Sequence, residues 1–216
     1  MPPDTRPPLW SFSDLVRTYP FWGLAFAWML MHSGQTYFSS AIVALGGFPN
    51  TSFSSTQLFV KATRGFSLIL GIAMGLMLAW YYARRSPVSL LVRLAVANLI
   101  LSVVTLRIPE LVFMWIPHGA TLVLMNAGYS AAAVLLLAIV ADVCNGRRAI
   151  AAAAAALLPL FFVSDVVSRM LLALLLQHDN PEGALFAAAT CHAVAALLLM
   201  KINPQLFDAG PKRRSE

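Results

Sequence analysis

Apolar residues run along this chain in six long blocks, each closed by a short cluster of turn-forming or basic residues. The first spans about Pro20 to Leu45 and stops at Gly46, Gly47, Pro49 and Asn50. The second runs from about Ser54 to Ala83 and stops at Arg84, Arg85, Ser86 and Pro87; the third covers about Val88 to Leu106, ahead of Arg107, Pro109 and Glu110. The fourth begins between Leu111 and Gly119, where Pro117 blurs its onset, and ends near Cys144, before Asn145, Gly146, Arg147 and Arg148. The fifth, about Ala149 to Leu176, gives way at Gln177 to Pro181, and the sixth, about Glu182 to Met200, at Asn203 and Pro204. A bilayer-spanning helix needs about 20 mostly apolar residues. The pattern therefore predicts an all-α polytopic membrane protein, a six-helix transmembrane bundle over residues 20–203 with tails at 1–19 and 204–216.

Composition agrees. Of 216 residues 59% are hydrophobic and only 11% charged, against about 25% charged in an ordinary soluble domain. The charge that would solvate a globular surface is missing, and six spans leave no room for a sizeable extramembrane catalytic domain. Residues 1–19 hold Pro2, Pro3, Pro7 and Pro8 and no apolar stretch of the signal-peptide kind, so this tail is expected to be retained. Within it Trp10, Phe12, Leu15, Val16 and Tyr19 alternate with Ser11, Ser13, Asp14 and Arg17, the spacing of an interfacial amphipathic helix. The tail after Pro204 is polar and basic and reads as disordered. Cys144 and Cys191 have no metal-ligand spacing and are expected as free thiols.

Orientation follows from the basic residues, which are retained on the cytoplasmic side of short loops. Arg6 and Arg17, then Arg84, Arg85 and Arg93, then Arg147 and Arg148, then Lys201, Lys212, Arg213 and Arg214 alternate with loops that hold only Arg107. Both termini are assigned to the cytoplasm and the protein to the cell (inner) membrane. The net charge of +6 then reflects topology and attraction to anionic lipid, with no nucleic-acid partner implied.

Polar residues inside the spans are costly and mark function. His32, Gln35, Thr36 and Ser39 fall on one face of the first span at i, i+3, i+4 and i+7. Lys61 and Arg64 lie three apart in the second; Asn126, Tyr129 and Ser130 share a face of the fourth; Asp165 and Arg169 stand four apart in the fifth and can pair within their own helix. Each has a structural alternative: interhelical hydrogen bonding for the His32 stripe, snorkelling for Lys61 and Arg64, self-neutralisation for Asp165 with Arg169. Summed, Lys61, Arg64 and Arg169 against Asp165 leave an excess of positive charge, so a shared cavity would favour an anion. Gly71 and Gly75 form G-x-x-x-G, and Ala151 to Ala156 and Ala187 to Ala189 present small faces for close packing.

Two loops carry a family resemblance. Trp80-Tyr-Tyr-Ala-Arg84-Arg85-Ser-Pro87-Val, after Gly71-Ile-Ala-Met-Gly75, resembles the signature loop between helices two and three of the major facilitator superfamily. Ala141-Asp142-Val-Cys-Asn145-Gly146-Arg147-Arg148-Ala149 is similar to the basic loop after helix four, as in its sugar-and-cation symporter branch. Trp80 stands where that signature has an acidic residue and Ala83 where it has a second glycine. The resemblance implies one six-helix half of a twelve-helix transporter, with helices one and four lining a central cavity and gating loops at Arg84, Arg85, Asp142, Arg147 and Arg148. A parallel homodimer, or pairing with a second half-transporter, would complete the architecture.

The leading expectation is a non-enzymatic, half-size secondary transporter for a small anionic solute, with His32, Gln35, Thr36, Lys61, Arg64, Asn126, Tyr129, Ser130, Asp165 and Arg169 at its binding site. His32 or Asp165 would carry a coupling proton. The alternative is a non-transporting accessory or assembly subunit of a membrane complex. A remote third is an intramembrane serine protease, because Gly128-Tyr-Ser130-Ala131 with His192 resembles the rhomboid serine and last-helix histidine. No nucleotide-binding, metal or dinucleotide motif is present, so no cofactor is expected.

Overall fold

The computed structural model describes residues 12–45, 53–81, 87–107, 118–143, 147–176 and 180–202, and every regular element among them is helical. A single turn, α1 (Phe12–Leu15), precedes six long helices: α2 (Tyr19–Leu45), α3 (Phe53–Tyr81), α4 (Pro87–Arg107), α5 (His118–Val143), α6 (Arg147–Leu176) and α7 (Pro181–Lys201). Of the expected interfacial helix, one turn lies within the described residues; Trp10 and Ser11 lie outside them. Its chain stops at Thr18, whose hydroxyl donates to the Leu15 carbonyl at 2.7 Å, and Pro20 in the first turn of α2 starts the next helix. The Trp22 indole donates to the Val16 carbonyl at 2.7 Å and ties the turn to α2.

Among the described residues, four helices are long and apolar enough to cross a membrane: 20 residues at Val88–Arg107 and 21 each at Ala120–Val140, Ala154–Leu174 and Pro181–Lys201. In α3 the apolar stretch is shorter, Gly65–Trp80. The polar stripe His32, Gln35, Thr36 and Ser39 dilutes α2, and all four of its side chains are buried against other helices. Large apolar side chains of α3 and α6 face outward instead, among them Ile69, Met77 and Trp80 on α3 and Leu158, Phe162 and Met170 on α6. That inversion of the soluble pattern is what a lipid solvent requires.

Helix α2 lies at the centre, packed on α7, α6 and α5, while α3 packs principally on α5 and α4 on α7 and α5. Registers give directions. Gly23 meets Ile202 and Gly34 meets His192, so α2 and α7 are antiparallel; Gly71 meets Ala127 and Gly75 meets Ala131, so α3 and α5 are parallel.

The helix boundaries expose a duplication. An offset of 94 residues carries the start of α3, Phe53, onto the start of α6, Arg147, and both ends of α4, Pro87 and Arg107, onto both ends of α7, Pro181 and Lys201. The same offset lays Leu30-Met-His-Ser-Gly-Gln-Thr36 of α2 on Leu124-Met-Asn-Ala-Gly-Tyr-Ser130 of α5. Several contacts obey it as well. His192 packs on Gly34 as Asn98 packs on Gly128, and the Gln35–Asn126 hydrogen bond is matched by the His32–Tyr129 ring contact. Exchanging the halves maps α2 with α7 onto α5 with α4 and α3 with α5 onto α6 with α2, and maps α4 with α7 and α2 with α5 onto themselves. Because α2 and α5 run antiparallel where Trp28 stacks on Tyr129 and Gln35 bonds Asn126, the halves are related by an approximate two-fold axis. It lies across the helices, between those two contacts.

Candidate functional site

Helical periodicity turns His32, Gln35 and Thr36 of α2 toward the same side as Asn126 and Tyr129 of α5 and Asp165 of α6, and the three helices meet there. Asp165 sits between two basic side chains. Its Oδ2 accepts from Arg169 Nε at 2.8 Å, one helical turn along α6, and its Oδ1 lies 3.5 Å from His32 Nε2 on α2. The His32 side chain is 8% exposed, that of Asp165 26% and that of Arg169 64%, so the cluster runs from the packed interior to an open face.

Aromatic rings wall it. His32 packs between Tyr129, with centroids 5.0 Å apart, and Phe161 at 4.5 Å, and Trp28 stacks on Tyr129 and leans on Phe161. Beside them Gln35 donates to the Asn126 side-chain carbonyl and, at 3.4 Å, to the Ser39 hydroxyl. Thr36 is buried on the same face, and Ser130 donates to the Asn126 carbonyl of its own helix at 3.0 Å. A hydroxyl ladder joins α2 to α6: Ser168 donates to Ser33 at 2.7 Å, Ser33 and Ser164 lie 3.1 Å apart, and Ser164 donates to the Met29 carbonyl at 3.1 Å.

Of the residues expected at the site, the structure brings together His32, Tyr129, Asp165 and Arg169, and beside them Gln35, Asn126 and Ser130. Lys61 and Arg64 stand on α3, which packs principally on α5, and their side chains lie outside the description. Asp142 falls in the last residues of α5 and Arg147 and Arg148 open α6; their side chains, and Arg84 and Arg85 altogether, are likewise outside the described residues. Ser130 and His192 keep different company. The former bonds its own helix, while the imidazole of the latter packs on Gly34, 3.4 Å from the Ser102 hydroxyl. No described contact joins that serine to that histidine as proteolysis would need.

Sequence reasoning missed Trp28, Phe161 and the serines of the ladder. The duplication could have found the region, because it shows where the halves stop being alike. At the offset of 94, His32 answers to Asn126, and Gly71 and Gly75 of α3 answer to Asp165 and Arg169 of α6. The α3–α5 interface closes on small residues: a Cβ on Gly71 would stand 2.6 Å from the Ala127 carbonyl oxygen, and one on Gly75 2.8 Å from Val134 Cβ. Its mate, α2 with α6, is less extensive and carries the ion pair, the imidazole and the hydroxyls.

Among the described residues, the fold is all-helical, with four helices long and apolar enough to cross a membrane and a polar, charged cluster at a helix junction. Comparison with protein families, with characterised proteins and with solved structures gives no match.

Proposed function

We propose that the chain is a six-span, half-size secondary transporter, paired in parallel with a second copy, that moves a small anionic solute by alternating access at the His32–Asp165–Arg169 cluster. One observation carries the reading. Two interfaces are related by duplication, and where Gly71 and Gly75 of one of them meet α5 the neighbours are the small or uncharged Ala127, Ser130, Ala131 and Val134, so the charges that stand at the matching positions of the other are not needed to bring such helices together. Ionised groups that packing does not require, inside segments where they are costly, belong to ligand or ion handling. Two antiparallel copies of one motif facing each other across a two-fold axis also suit a site that must open by turns to either side.

The outward apolar faces of α3 and α6 offer a second copy its seat; Trp80 is 82% exposed. With Arg169 held by Asp165, the positive excess rests on Lys61 and Arg64. The test is uptake of a panel of small organic anions into proteoliposomes, alongside native mass spectrometry of the gently solubilised chain. Anion flux that is lost in Arg169→Ala, from a dimer, supports the proposal. A chain that carries none of the panel and co-purifies with unrelated membrane subunits would instead be an accessory protein.

A further inference from the structure

At one end of the bundle the last turn of α4 and the first turn of α7 surround an open cavity of about 450 Å³, lined by Leu106, Arg107, Asn180, Glu182, Gly183 and Phe186. Each charge has a local reason: Arg107 closes α4 and Glu182 opens α7, where the helix dipoles favour those signs. The dipoles do not require the two to face one cavity. Arg107 and Glu182 do so without an ion pair to each other or to any other charge among the described residues. The helix start itself is occupied, because the Asn180 side chain accepts from the Gly183 N–H at 2.7 Å. Toward the middle of both helices the surface turns apolar. Ile100, Val103 and Arg107 stand at i, i+3 and i+7 on one face of α4, Phe186 stands one turn beyond Glu182 on α7, and the three apolar side chains are exposed. Val88–Arg107 and Pro181–Lys201 are both of membrane-crossing length, so the cavity falls at the level of lipid headgroups and the apolar track at acyl depth.

We propose that the α4–α7 cavity binds the headgroup of a zwitterionic phospholipid with a primary ammonium, its phosphate on Arg107, its ammonium on Glu182 and its acyl chains along Phe186 and the exposed face of α4. The site is independent of the transporter reading. Both contacts are charge-assisted: the guanidinium donates to phosphate oxygens, and the ammonium donates to the carboxylate. The duplication singles out the acid. At the offset of 94 Arg107 answers to Lys201 but Glu182 answers to Val88, so the basic residue at a span end is repeated and the carboxylate is not. A cation alone suits any anionic headgroup; the added carboxylate repels a headgroup of net negative charge and accepts from an ammonium. A primary ammonium has N–H donors for it and a quaternary one has none, so ethanolamine is preferred to choline.

The test is native mass spectrometry of the full-length chain in detergent, titrated with phosphatidylethanolamine, phosphatidylcholine and phosphatidylglycerol. The wild type retains phosphatidylethanolamine over the other two. Arg107→Ala and Glu182→Gln each weaken that binding by about 10-fold, the loss of one hydrogen bond between charged groups, and Glu182→Gln also removes the preference over phosphatidylglycerol. Both side chains are exposed, so neither variant disturbs the core, and circular dichroism checks that helicity is unchanged. Phosphatidylethanolamine binding that neither variant weakens overturns the site. Equal retention of phosphatidylglycerol by the wild type overturns the role of Glu182. Soluble phosphoethanolamine that displaces the lipid at equal concentration would assign the cavity to a free zwitterion and overturn the lipid.

Discussion

The imidazole of His192 occupies the space where a side chain on Gly34 would begin: a Cβ there would lie 2.7 Å from Cε1 and 2.8 Å from Nε2. His192 is fully buried, so its ring has nowhere to retreat. In lipid, where apolar burial gives helices no reason to prefer one another over acyl chains, such close approach is what holds α2 to α7.

Gly34→Ala is expected to cost about 1–3 kcal/mol by overpacking, offset in part by about 1 kcal/mol of helix propensity. Gly34→Leu should cost more. Thermal unfolding in detergent, followed by circular dichroism, reads both. Adding His192→Ala to Gly34→Ala should recover most of the loss, and a double variant no better than Gly34→Ala alone would show that the ring is not the obstacle.

The α3–α5 contact offers a sharper contrast, because two glycines on one helix face different surroundings. Gly71 abuts backbone of α5, whereas a Cβ on Gly65 would meet nothing within 4 Å. Gly71→Leu should separate the helices and cost about 2 kcal/mol or more, while Gly65→Ala should be neutral or stabilise by up to about 1 kcal/mol. Equal midpoints for the two variants in the same unfolding assay would contradict the packing.

Gln35 and Asn126 meet beside the axis between the halves. A double-mutant cycle with Gln35→Leu and Asn126→Leu should return a coupling of about 0.6–2 kcal/mol, the range for interhelical side-chain hydrogen bonds in membranes. A coupling near zero would mean that the register of α2 on α5 is set by the surrounding rings and methionines.

For activity, Arg169→Ala and Arg64→Ala should lower anion uptake by about 10-fold or more, the rate equivalent of about 1.4 kcal/mol, while inserting into the membrane as the wild type does. Phe162→Ala, on the outward face of α6 at 68% exposure, should leave uptake within about 2-fold of wild type, since a single exposed apolar residue away from the site does little. Full uptake by both arginine variants would remove the cluster from the transport path.

The helices themselves were legible in the linear pattern. Apolar blocks bounded by Gly46 to Asn50, Arg84 to Pro87 and Asn145 to Arg148 end where the helices end, within a few residues, because turn chemistry and helix propensity act locally. The polar faces of His32, Gln35 and Thr36 and of Asn126, Tyr129 and Ser130 were legible for the same reason, as was the pairing of Asp165 with Arg169 four residues away. The duplication was also there to be read in Leu30 to Thr36 and Leu124 to Ser130, yet with three identities in seven it takes the coincident ends of α4 and α7 to make it stand out.

Which faces meet was not legible, since periodicity says what lies on one side of a helix and nothing of what stands opposite. Asp165 could satisfy itself with Arg169 on its own helix; that it also faces His32, 133 positions earlier, depends on how α2 crosses α6. The stripe of Gly71 and Gly75 could have packed on any neighbour; its seat on Ala127 and Ala131 leaves α6 to face α2. Local spacing and the cost of polar groups in lipid settle the helices and their polar faces. Long-range packing, in which small residues decide who comes close, settles which helix stands opposite each polar face.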